Sequence, residues 1–338
     1  MPRARGRTRT RLTMLAQAEP NVWRGRVDAE EGPLGQRWHQ TVRRIDASTP
    51  LANTVALAGF ACDAGVARNH GRTGAQVGPA AIRKMLANLP ARAGRVVVDA
   101  GDVTCQGDAL EDAQSELSGV LHDLLDRGAF PIALGGGHEI AWASFGGLAR
   151  HLAAKSDQPP RIGILNLDAH FDLRAGERGS SGTPFRQIAE DCARRGWPFH
   201  YACLGVSTYA NTEALFARAR QLGVRWMHDD EMDVTQLAHV LKVVEVFLSQ
   251  VDHVYLTMCL DVLPAAVAPG VSAPSARGVG MDLIEPIVDR VVSSGKLRLA
   301  DVAELNPSLD IDHHTARVAA RLVARVADGI GLQGAAHD

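Results

Sequence analysis

The chain reads as an α/β protein built on one open parallel sheet with helices on both faces. Eight short apolar runs alternate with amphipathic helical patterns along its 338 residues, and no long Pro/Ser/Gly linker or internal repeat divides them. Several runs are apolar at successive positions rather than at every second one. Successive strand side chains point to opposite faces, so such runs suit strands buried on both sides.

The runs, in order, begin with TVALAGF (54–60), RVVVDAG (95–101), FPIALGG (130–136) and RIGILNL (161–167). They continue with HYACLGV (200–206), GVRWM (223–227), HVYLTMCL (253–260) and LRLADVAEL (297–305). Between them, residues 108–128 place Leu110, Ala113, Leu117, Leu121 and Leu124 on one helical stripe that ends at Gly128. Residues 233–251 and 281–295 repeat the pattern, and a last helix over 311–328 is expected to stop at Gly329. The less regular stretches, 171–186 and 262–280, each follow a strand. Loops at strand ends are where α/β proteins keep their chemistry.

Composition removes several classes of function. Thirty-six Lys+Arg against 38 Asp+Glu leave a net charge of −2, without the basic excess of a nucleic-acid-binding surface. Aromatics are only 5%, too few for base-stacking platforms. No apolar stretch approaches the ~20 residues of a membrane span. The five cysteines (62, 105, 192, 203 and 259) are scattered and form no CxxC pair. They read as reduced thiols of a cytoplasmic protein, with Cys259 set apart below. Arginines at 3, 5, 7, 9 and 11 make residues 1–20 a basic tail expected to lack structure, although a start at Met14 would look the same. No apolar segment follows to make it a secretory signal. Residues 21–335 read as a single domain.

Four motifs fall where strands should end: GGGHE (135–139), NLDAHFD (166–172), CLDVLP (259–264) and AELNP (303–307). Asp168, His170 and Asp172 are spaced i, i+2, i+4, which in an extended strand end turns all three side chains to one side. Two carboxylates and an imidazole crowded together are poorly stabilised unless a cation sits among them. Oxygen-rich ligands with one or two imidazoles suit Mn²⁺. His138 and Asp261 would add an imidazole and a carboxylate from neighbouring strand ends.

These motifs resemble those of the ureohydrolase (arginase/agmatinase) family, and more closely its formimidoylglutamase branch. GGGHE is similar to the family's GGxH element, DAHFD to its DAHxD element and AELNPSLD to its ExNP element. CLDVLPAAVAPGVSAPSARG is similar to its DxDxxDPxxAPxxGTP loop, and GRTGAQVGPAAIRKML (71–86) to its GPxxIR helix start. The run 173–187, LRAGERGSSGTPFRQ, resembles the formimidoylglutamase pattern more than that of arginase or agmatinase. The match in order and spacing extends from about Val55 to Gly329.

The resemblance implies a three-layer α/β/α, arginase-like fold with an eight-stranded parallel sheet and a binuclear Mn²⁺ site at the sheet's carboxyl edge. His138, Asp168, Asp172 and residue 259 would hold one ion; Asp168, His170, Asp261 and again residue 259 would hold the other. Two positions depart from the pattern. Cys259 stands where the family has a bridging aspartate, and a thiol favours softer metals, so one metal site is expected to be weak. Phe185 stands where arginases carry a histidine thought to shuttle protons.

The implied reaction is hydrolysis of N-formimidoyl-L-glutamate to L-glutamate and formamide by metal-activated hydroxide. Asp172 would take and pass the proton, and Glu304 would hold the formimino nitrogen. The dicarboxylate substrate calls for cations, so Arg174 is expected to bind it with Ser181, Gly182 and Thr183. Arg186 and Arg277, in the mouth segments, suit either substrate binding or a solvated surface. Two alternatives remain: a guanidine hydrolase of the agmatinase or guanidinoacid type, and a catalytically weak metal- or ligand-binding homologue. Relatives commonly assemble into trimers or hexamers, so a homo-oligomer is expected by analogy.

Overall fold

The computed structural model describes residues 22–46 and 48–330. The basic stretch 1–20 and residues 331–335 of the expected domain lie outside them.

One parallel sheet organises everything described. Its strands are β1 (Arg43–Arg44), β2 (Val55–Ala61), β3 (Val97–Thr104), β4 (Phe130–Leu134) and β5 (Ile162–Leu167), then β6 (His200–Val206), β7 (Arg225–His228), β8 (His253–Cys259) and β9 (Leu297–Ala303). The order across the sheet is β1-β3-β2-β4-β9-β8-β5-β6-β7, and every pairing is parallel. All eight expected strands are present. The ninth, β1, is a two-residue edge of exposed arginines, so it carries no apolar run by which sequence could mark it.

Helices cover both faces. In chain order they are α1 (Trp38–Thr41), α2 (Ala64–Arg68), α3 (Gly78–Leu86), α4 (Leu110–Asp126), α5 (Ile140–Ala153) and α6 (Pro184–Arg195). They continue with α7 (Glu213–Gln221), α8 (Leu237–Leu248), α9 (Met281–Ser293) and α10 (His314–Ile330). Alternate strand residues feed two apolar cores. On one face Leu57, Ile132, Leu165 and Leu256 pack with α3, α8, α9 and α10. On the other, Ala56, Ala133, Ile164 and Tyr255 pack with α4, α5, α6 and α7.

Glycines separate the two predicted helix ends. Gly128 follows α4 with φ of 79°, the left-handed conformation that closes a helix. Gly329 does not end α10, which runs on through Ile330. A Cβ at Gly329 would lie 2.5 Å from Val292 Cγ1, so this glycine lets α10 approach α9 closely.

Arg83 fixes α3 to the sheet. Its guanidinium is fully buried and donates to both Asp99 oxygens, at 2.8 and 3.0 Å, and to Asp102 Oδ1 at 2.6 Å. Removing one partner of a buried ion pair leaves the other charge uncompensated. Arg83→Met should therefore destabilise the fold by about 3–5 kcal/mol, readable by denaturant unfolding. A loss below about 1 kcal/mol would contradict this account.

Candidate active site

The four motif-bearing strands, β4, β9, β8 and β5, are the four central neighbours of the sheet. Their carboxyl ends therefore open side by side. His138 follows β4, Asp168 follows β5, Cys259 ends β8, and Glu304 follows β9.

The DAHFD segment does not reach its geometry by strand alternation, as its spacing suggested. β5 stops at Leu167, and the chain then turns. Asp168 Oδ1 accepts the His170 N–H at 2.7 Å, while Asp168 Oδ2 accepts from Asn166 Nδ2 at 3.0 Å. Asp172 adopts φ of 48°, a left-handed conformation uncommon outside glycine. Asn211 holds the turn: its Oδ1 accepts the Phe171 N–H at 3.0 Å and its Nδ2 donates to the Ala169 carbonyl at 2.8 Å.

Two ligand groups result. His138 Nδ1 lies 2.9 Å from Asp168 Oδ2 and 2.9 Å from Asp172 Oδ2. Ligand atoms of His138, Asp168 and Cys259 lie within 4.8 Å of one another, as do those of Asp168, His170 and Asp261. His170 Nδ1 is 3.1 Å from Asp261 Oδ2 and 3.4 Å from Asp168 Oδ1. Asp168 is completely buried and common to both groups. Buried Asp261 Oδ1 has no hydrogen-bond partner, and buried His138 Nδ1 lies between two carboxylate oxygens without hydrogen-bond geometry to either. Buried polar atoms in proteins are nearly always satisfied, so these point at a missing partner, and the donor set fits divalent cations. His138 Nε2 meets Thr257 Oγ1 at 3.0 Å, which leaves Nδ1 for that role.

Electrostatics agree. Burial opposes charge on His138 and His170, but Asp168 and Asp172 around the first, and Asp261 and Asp168 around the second, hold both imidazoles well above their usual range. Burial also opposes ionised Asp168, yet the two histidines outweigh it and pull that carboxyl down. Burial, then Asp168, pushes Asp172 up to about 6. Burial, then Glu139 and Asp261, pushes Glu304 up to about 8. The Cys259 thiol is raised by burial and by the surrounding carboxylates Asp168, Asp261 and Glu304.

A stability consequence follows for protein stripped of divalent cations. Glu304, Glu139 (raised to about 7), Asp172, His138 and His170 all bind protons more tightly folded than unfolded. Groups with raised folded pKa values stabilise at low pH, and that contribution is lost as pH rises. Stability of the stripped protein should fall between about pH 4 and 8, and Mn²⁺ should flatten the slope. Denaturant midpoints across that range check it, and a rise with pH would contradict it.

The groups line a cavity of about 300 Å³. His138, His170, Asp172, Cys259, Asp261 and Glu304 form its floor. Glu304 adopts φ of 71°, and its Oε1 accepts the His138 N–H at 2.8 Å across 166 residues of sequence. Phe185 sets its ring edge against His138, 5.3 Å between centroids, and stacks on Tyr201.

Of the expected substrate-binding residues, Arg174 and Ser181 line the cavity. Gly182 and Thr183 do not. The Gly182 N–H donates to Ser180 Oγ, and the Thr183 hydroxyl is engaged by Ser180 and Gln187. A Cβ at Gly182 would sit 2.7 Å from Arg174 Cδ, so this glycine makes room for the arginine. Arg186 and Arg277 serve backbone carbonyls, Arg174 and Gly176 for the first and Asp229 for the second.

Sequence reading missed Arg72, a second cation on the cavity wall. Its guanidinium donates to the Val271 and Ser272 carbonyls, and Asn306 Nδ2 donates to the Arg72 carbonyl at 3.0 Å. Its position in the 71–86 motif, and Asn306 in AELNP, were the available signals. Asn211 lay in no motif.

The model of the arginase family matches residues 53–328. The chain belongs to the arginase family. It is 82% identical over 324 residues to a formimidoylglutamase of Ralstonia nicotianae, covering 96% of this chain and all of that one. It is 55% identical over 304 residues to a formimidoylglutamase of Aeromonas hydrophila, covering 90% of this chain and 96% of that one. Among solved structures, a Trypanosoma cruzi formiminoglutamase with Mn²⁺ superposes with a TM-score of 0.72 at 26% identity, covering 83% of this chain and 94% of that chain. Among the described residues no helix is long and apolar enough to cross a membrane.

Proposed function

We propose that this arginase-family chain hydrolyses N-formimidoyl-L-glutamate to L-glutamate and formamide. The observation that carries the reading is the 82% identity to a formimidoylglutamase along that protein's whole length. The cavity gives it a physical basis, because its floor is ringed by carboxylates while Arg72 and Arg174 stand on its walls. A formimino cation flanked by two carboxylates complements that layout.

Mn²⁺ held by His138, Asp168, Asp172 and Cys259, with a second ion at Asp168, His170, Asp261 and Cys259, would lower the pKa of a water in the cavity. Asp172 takes the proton from the attacking water and delivers it to the glutamate nitrogen as that nitrogen leaves. Glu304 accepts a hydrogen bond from the formimino nitrogen. Arg72 and Arg174 hold the substrate carboxylates and fix its orientation. Phe185, packed against His138 behind the cavity lining, has no proton to transfer and leaves that step to Asp172. Cys259, lacking the two oxygens of a bridging carboxylate, leaves one metal position weaker than the other. A cytoplasmic location accords with five unpaired cysteines.

The test is a product assay on Mn²⁺-loaded protein. N-formimidoyl-L-glutamate should give formamide and L-glutamate, while agmatine and guanidino acids should give no urea at comparable rates. Urea as the faster product would replace this reading with a guanidine hydrolase. Arg72→Met should raise KM for the dicarboxylate about 10- to 100-fold with kcat nearly unchanged, the mark of lost ground-state binding. Steady-state kinetics check this, and an unchanged KM would remove Arg72 from the substrate site.

A further inference from the structure

A second group of metal-ligand side chains lies at the opposite end of α5 from the cavity. His122 and Asp126 are one turn apart at the end of α4 and share a face. His151 comes from the last turn of α5, which packs against α4. Asp126 Oδ2 is 3.3 Å from His122 Nε2, and Asp126 Oδ1 contacts His151 Nδ1. One ligand atom from each residue lies within 4.8 Å of the others. The two histidine side chains are largely buried, 19% and 6% exposed, while Asp126 at 46% opens the cluster to solvent.

The helix ends favour a cation here. Helix carboxyl ends carry partial negative charge, and α4 and α5 both end at this cluster. Asp126, the last residue of α4, adds a full negative charge where the helix already presents its own. His122 turns Nε2 toward Asp126, the ring nitrogen that would meet an ion held by this cluster.

We propose that His122, Asp126 and His151 form a second metal site, separate from the cavity, that takes Zn²⁺. Two imidazoles and a carboxylate are a zinc donor set, with water completing a four-coordinate shell. The ion joins the carboxyl ends of α4 and α5. α5 starts two residues after His138, so the site pins the far end of the helix that follows the GGGHE motif, about 20 Å from the catalytic floor.

The test compares Mn²⁺-loaded wild type with Asp126→Asn and His151→Gln during Zn²⁺ titration, counting bound zinc after gel filtration. Wild type should bind one zinc equivalent more than either variant. Zinc should also raise the thermal midpoint of wild type and leave that of both variants unmoved. kcat/KM should be the same in all three before zinc is added. Asp126 is half exposed, so Asp126→Asn folds even if the buried histidine variant does not. Equal zinc uptake by wild type and Asp126→Asn would overturn the proposal and leave an ordinary Asp126–His151 hydrogen bond. So would a zinc-edge anomalous peak in crystals that lies away from the three residues.

Discussion

Asp172→Asn is expected to lower kcat about a thousandfold while leaving the fold intact. The proposed general base is lost, and an amide cannot accept a proton at any working pH. The substitution is clean for a backbone reason. Asp172 sits at φ of 48°, and asparagine is among the few residues that tolerate the left-handed region. The amide oxygen can still face His138 Nδ1, now 2.9 Å from Asp172 Oδ2. Kinetics with N-formimidoyl-L-glutamate, together with circular dichroism and a Mn²⁺ count, separate lost chemistry from lost metal. Retention of kcat within tenfold of wild type would remove Asp172 as the proton carrier.

Glu304→Gln should lower kcat/KM about a hundredfold, the scale of one charge-assisted hydrogen bond in a buried site. Glutamine keeps an oxygen for the His138 N–H, so the contact between the first and fourth motifs survives. What disappears is negative charge. Burial, Glu139 and Asp261 together disfavour ionised Glu304, raising it to about 8, and a bound formimino cation supplies the compensation. The loss should therefore be greater for a cationic amidine than for a neutral isostere binding the same cavity. Comparing substrate kcat/KM with inhibition by a neutral glutamine-like analogue measures the difference. Equal losses for both would mean that Glu304 acts through packing rather than charge.

The two residues share a property no motif displays. Both follow a strand end with positive φ, and His70, at φ of 58°, joins them in the cavity lining. Non-glycine residues in this region are costly by about 1–3 kcal/mol and persist where surrounding structure fixes them. Here Asn211 and the His138 N–H supply that fixation for the DAHFD turn and for Glu304. Spacing alone suggested that strand pleating aligned Asp168, His170 and Asp172. The turn, not the pleat, brings them together, because β5 ends before the first of them.

The sequence by itself determined the eight principal strands, the helices over 108–128, 233–251, 281–295 and 311–328, and which carboxylates and imidazoles stand at four strand ends. These are local properties: an apolar run fits a doubly buried strand wherever it falls, and a carboxylate or imidazole carries its donor atoms wherever it stands. It could not show β1, whose two exposed arginines follow no burial pattern, nor Arg72 and Asn211 as parts of the cavity. It also offered Gly182 and Thr183 as substrate contacts; the structure places both outside the cavity lining, the Gly182 N–H on Ser180 and the Thr183 hydroxyl on Ser180 and Gln187. Only the tertiary structure decided that β4, β9, β8 and β5 are adjacent, which sets His138 and Glu304 2.8 Å apart although 166 residues separate them. Strand order depends on how each crossover helix buries its face against the whole sheet, an energy shared by residues distant in sequence. Chain closure costs only about 0.6 kcal/mol more for each doubling of length, so separation along the chain says little about which strand ends meet.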